Sequence, residues 1–88
     1  MRKITLDRRF SGFNRFKFAL EYTSKELDLY CQHREWFWTT FNSSCELEAQ
    51  YKISNPNPDW CWELTQWKIR IYVKSDKEMN WFALKWGV

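Results

Sequence analysis

The chain has little of what turns and ligand cradles are made from: two glycines and two prolines in 88 residues. A phosphate-binding loop needs several glycines for close backbone approach, and with only Gly12 and Gly87 no such loop can be built. The single imidazole, His33, leaves a nucleophile few bases to pair with. Three cysteines cannot all pair within one chain, and Cys31, Cys45 and Cys61 contain no C-x-x-C motif. Formally, Cys31, His33, Cys45 and Cys61 could make a Cys₃His set. Their spacing fits no zinc module, and residues two apart on a helix diverge, so the reading is of no metal and no cofactor. Long apolar runs are also missing, and the start "MRKITLDRRFSGF" has no apolar signal core. Together these features predict one compact domain over residues 1–88, in the cytoplasm, working without catalysis.

What the chain has in abundance is tryptophan. Trp36, Trp38, Trp60, Trp62, Trp67, Trp81 and Trp86 far exceed ordinary usage. Each can remove about 150–250 Å² from water, which helps a chain near the lower size limit for a core. Trp is also the residue most enriched at binding hot spots. Charge is distributed unevenly. The first twenty residues hold six basic side chains against Asp7 alone, and the rest hold eight basic and ten acidic ones. That asymmetry predicts an electrostatic partner surface near Arg8 and Arg9, or an edge strand blunted by its charges.

Alternation over residues 3–9 and 14–22 predicts two strands joined through the Ser11-Gly12 turn. Thr23-Ser24-Lys25-Glu26 reads as a capping box opening a helix to residue 41. Period two returns over 45–53, and the proline-containing run "SNPNPD" is a loop. Residues 60–74 are strand-like but change phase between Leu64 and Trp67, which we read as a bulge. A second capping box, Ser75-Asp76-Lys77-Glu78, predicts a short helix to residue 82 or 84, with "FALKW" returning as an edge strand. The sum is an α+β fold: an antiparallel or mixed sheet with one main and one short helix on one face. The element order is that of the ferredoxin-like βαββαβ unit with an extra N-terminal strand.

Two constellations point to binding. In "EWFWTTF" successive helical residues turn by about 100°, so Trp36, Phe37 and Trp38 fan over about 200°. A core-facing stripe is about 100° wide, so at least one ring should lie outside the core. Trp36 and Trp38, helped by Arg8 and Arg9, are therefore candidates for contact with another protein, and a homodimer would also cover a surplus Trp. The second constellation is a basic sheet face. If Phe16, Phe18 and Leu20 and the odd positions Trp67–Val73 face the helices, the open side carries Arg15, Lys17, Lys68, Arg70, Tyr72 and Lys74. Rings that stack bases beside cations that track phosphates are how sheet modules hold single-stranded RNA.

The C-terminal segment "RIYVKSDKEMNWFALKWG", a strand followed by an acidic capped helix and a terminal aromatic-basic run, resembles a pattern found in small accessory proteins of large tailed phages. The resemblance covers about a fifth of the chain. It implies a class of proteins that bind a host or viral factor and modulate or inhibit it, and it carries no site residues.

Overall fold

The computed structural model describes every residue from Met1 to Val88. Four strands, β1 (Arg2–Thr5), β2 (Phe18–Glu21), β3 (Trp60–Leu64) and β4 (Ile69–Val73), form one antiparallel sheet in the order β1-β2-β4-β3. Helices α1 (Leu27–Phe41) and α3 (Asp76–Trp86) cover one face, and a single turn of helix, α2 (Leu47–Gln50), lies beyond α1. The class is α+β, as the alternation implies, but the order is ββααββα. The ferredoxin-like order fails because two expected strands are helical.

Both capping signals open helices. Glu26 Oε1 accepts from the Thr23 N–H at 3.0 Å, and a 3₁₀ turn over Ser24–Glu26 leads into α1. At α3 the Ser75 hydroxyl donates to Glu78. Asn42, at φ 72°, ends α1, and the Asn57 side-chain amide donates to the freed carbonyls of Phe41, Asn42 and Ser43. Gly87 closes α3 in the left-handed region (φ 69°), its N–H bonded to the Ala83 carbonyl.

Three departures of secondary structure from the sequence reading have physical causes. Over 45–53 the residues buried are Leu47 and Gln50, three apart, which is a helical spacing. The Gln50 amide is needed inside, where it donates to the Asn57 carbonyl at 2.8 Å. Between Leu64 and Ile69 the phase change is a turn: Thr65 N–H donates to the Lys68 carbonyl, and Thr65 Oγ1 accepts from the N–H groups of Trp67 and Lys68. Finally, "FALKW" continues α3 because Phe82 and Trp86, four apart, both reach His33 at ring distances of 4.8 and 4.5 Å.

The main core lies between sheet and helices: Phe18, Leu20, Ile71 and Val73 from the sheet, Trp60 from the β3 edge, Tyr30, Phe37 and Phe41 from α1, and Met79 and Phe82 from α3. A smaller core fills the opposite face, where Leu6, Phe16, Ala19, Leu47, Cys61 and Tyr72 pack together. The alternation through Phe16 and Phe18 is broken by a bulge. The N–H of Lys17 donates to the carbonyls of both Val73 and Lys74, and Phe16 swings to the face opposite Phe18.

Gly12 seats the loop over this second core. A Cβ there would lie 2.8 Å from two Tyr72 ring carbons, while the Gly12 carbonyl accepts from Arg15 and Phe16. Gly12→Ala is expected to cost about 1–3 kcal/mol through overpacking, read from denaturant unfolding. Unchanged stability would show that the loop does not pack this closely.

Candidate protein-docking surface

The row Trp36-Phe37-Trp38 is divided by the helix geometry. Phe37 is fully buried and stacks on Phe82 and Trp60. Trp36 points into the α1/α3 seam, half-buried, edge-on to Phe37, Phe41 and Phe82 at 5.0–5.7 Å. Trp38 turns the other way, toward β3, and keeps 42% of its surface exposed; its ring contact is an edge to Trp60 at 6.4 Å.

Beside Trp38 lies an open cleft of about 400 Å³, walled by Cys31, Arg34, Glu35 and Trp38. Arg34 is held in place, its guanidinium carbon 4.0 Å from the centre of the Trp62 ring. Trp62 itself is half-buried, with its backbone N–H bonded to the Cys45 carbonyl. The site therefore has a fixed cation-on-aromatic wall, an exposed indole and one carboxylate at the rim. Indole and guanidinium groups of this kind dominate binding energy at protein interfaces.

Arg8 and Arg9 do not join this site. They sit on the loop that covers the opposite face of the sheet; Arg9 is tied to Asp7 at 2.8 Å, and Arg8 is exposed with no ion-pair partner. Trp36 and Trp38, on opposite flanks of α1, do not converge either. Sequence reasoning missed Trp67, expected inward, which stands 84% exposed on the β3–β4 turn, and Trp81 and Leu84 on α3, 51% and 86% exposed. For Trp67 the signal was the phase change itself.

The basic sheet face is not open. Tyr72 is fully buried under Gly12 and Phe16, and its hydroxyl donates to Glu63 at 2.7 Å. Register also interleaves carboxylates with the expected cations. Arg2, Glu21, Arg70 and Glu63 form one row across all four strands, alternating in sign. Glu21 takes Arg70 at 2.7 Å and Arg2 at 2.6 Å, and the hydrogen bond from Arg70, then that from Arg2, holds its carboxyl below the usual range. Lys17 pairs with Asp76, Lys74 lies 4.0 Å from Asp59, and Arg15 lies over the Tyr51 ring. Lys68 is left alone on the turn. The stacking ring and the continuous cation track that RNA binding would require are both missing from this face.

Cys61 is buried, which pushes its thiol up, whereas Cys45 is half-buried and Cys31 is exposed on the cleft wall. His33 points inward, away from Cys31. No group of three or more His, Cys, Asp or Glu side chains is gathered as metal ligands would be, and no helix is long and apolar enough to cross a membrane. The chain matches no family model, no curated protein and no solved structure.

Proposed function

We propose that this is a non-enzymatic binding module that docks on another protein through the Trp38 cleft on the outer face of α1 and modulates it. The observation that carries the reading is the partition of the α1 aromatics. Phe37 and Trp36 are committed to the core and the helix seam, while Trp38 stays 42% exposed beside an arginine fixed over a second indole. A rigid, partly desolvated aromatic of this kind can bind with little loss of conformational freedom. The resemblance of the C-terminal segment to phage accessory proteins supports a host or viral protein as the partner, met in the cytoplasm.

Trp38→Ala tests this. With 42% of its surface exposed it has less packing to lose than a buried Trp. It is expected to cost about 1 kcal/mol of stability and to leave the protein folded, well short of the cost of truncating a buried Trp, about 3–5 kcal/mol. Retention of the captured partner should fall by about 2 kcal/mol, roughly thirtyfold. Equal retention by the variant and wild type would remove Trp38 from the interface.

A further inference from the structure

The other edge of the sheet, β1, is left unpaired on its outer side. β1 is an outer strand, and its hydrogen-bond parity is settled by its neighbours: the Leu6 N–H donates to the Lys17 carbonyl, and the Tyr22 N–H to the Ile69 carbonyl. Bonding toward β2 therefore falls on Arg2, Ile4 and Leu6, and the backbone groups of Lys3 and Thr5 point outward. By that parity the ladder to β2 uses neither residue's N–H or C=O, no turn, loop or cap bond uses them, and both residues are exposed. This is a free template for one more strand.

The side chains along the template specify what can occupy it. Lys3 lies on the helix side, over the Phe18 ring at 5.2 Å, and Arg2 lies on the opposite side. Arg8 and Arg9 follow directly. Of these four, Lys3 and Arg8 have no ion-pair partner, and Arg2 shares Glu21 with the better-buried Arg70. A second copy pairing β1 to β1 would bring two such clusters onto one seam, with only Asp7 and the shared Glu21 from each chain to offset them. The same charges that repel a copy attract an extended acidic segment, whose alternate carboxylates would meet a cation on either face of the sheet.

The geometry points to β1 as a docking edge for an acidic, extended peptide segment of a partner protein, added as a fifth strand. It lies at the opposite edge of the sheet from the Trp38 cleft and does not depend on it.

The test titrates a short blocked peptide alternating Glu and Val into isotope-labelled protein at low salt, with its Lys/Val counterpart as control. Amide shifts are expected at Lys3 and Thr5, with weakening as salt is raised and no response to the Lys/Val peptide. Lys3→Glu should weaken binding about tenfold by reversing the charge nearest the template. Thr5→Pro removes an outward N–H without touching the β2 ladder and should weaken it to a similar extent. Trp38→Ala should bind the peptide as wild type does, so failure here leaves the cleft reading standing, and the reverse also holds. The proposal is overturned by absence of binding at millimolar peptide, by equal binding of the Lys/Val peptide, or by shifts confined to other surfaces. A β1-paired dimer in sedimentation, or Lys3-dependent binding of single-stranded RNA without binding of the acidic peptide, would overturn it equally.

Discussion

Trp60→Ala is expected to unfold the protein or bring it to the brink. Trp60 is fully buried at the junction of sheet and helices, stacks on Phe37 at 5.5 Å, and donates from Nε1 to the Asn42 carbonyl at 2.9 Å. Truncating a buried Trp costs about 3–5 kcal/mol, and the lost hydrogen bond to the Asn42 carbonyl, which keeps the Asn57 amide at 3.3 Å, adds about 1 kcal/mol at most. A domain of this size holds about 4–13 kcal/mol in all. Trp60→Phe should fall between, since it keeps most of the stacking and loses the hydrogen bond. The check is urea unfolding followed by circular dichroism. A cooperative transition at the wild-type midpoint for Trp60→Ala would refute the assignment of this residue to the core.

The second large effect is on acid stability. His33 is buried, and its Nδ1 shares a 2.7 Å hydrogen bond with the Tyr22 hydroxyl, whose direction follows the tautomer of the ring. Burial lowers its pKa from 6.5 to about 4; the nearby N-terminal ammonium acts in the same direction, and Glu26 opposes it. The unfolded chain thus protonates His33 near pH 6.5, and the folded chain only near pH 4. Stability from this group is complete above pH 6.5 and is lost as the pH falls from 6.5 toward 4. The loss should be roughly 2–3 kcal/mol once residual solvent access is allowed for. Glu21 and Glu26, both held below the ordinary carboxylate range by their cationic partners, add a further loss below about pH 4.5. His33→Gln should flatten the upper part of the profile and leave the lower part intact. A wild-type stability independent of pH between 6.5 and 5 would contradict a neutral buried His33.

Much of this fold can be read in the chain, and the places where reading fails share a cause. The two capping signals mark α1 and α3 because they are local chemistry: a capping box at Thr23–Glu26 and a side-chain hydrogen bond between Ser75 and Glu78. Clean alternation identifies β2 through Phe18 and Leu20. Over 45–53, however, the pattern alternates and the structure does not follow it, because the group that must be buried is the amide of Gln50, which hydrophobic patterning counts as polar. The bulge at Lys17 moves Phe16 to the other face and is visible only from the opposing carbonyl of Val73, which is fifty-odd residues away. The basic sheet face fails in the same manner. Its cations are present, but cross-strand register sets Glu21 and Glu63 on either side of Arg70, and the loop around Gly12 covers Tyr72. The division of labour among Trp36, Phe37 and Trp38 is legible as a fan too wide for one core. Which ring is left outside depends on where α3 and β3 lie.

Site-specific photo-crosslinking locates the partner most directly. A crosslinking residue replaces Glu35, on the cleft wall, or, in a second protein, Asp28, further along α1. A discrete adduct with one partner is expected from position 35, abolished when Trp38→Ala is added and much weaker from position 28. Adducts from position 35 that persist undiminished without the Trp38 indole, or that form only from position 28, would contradict the account.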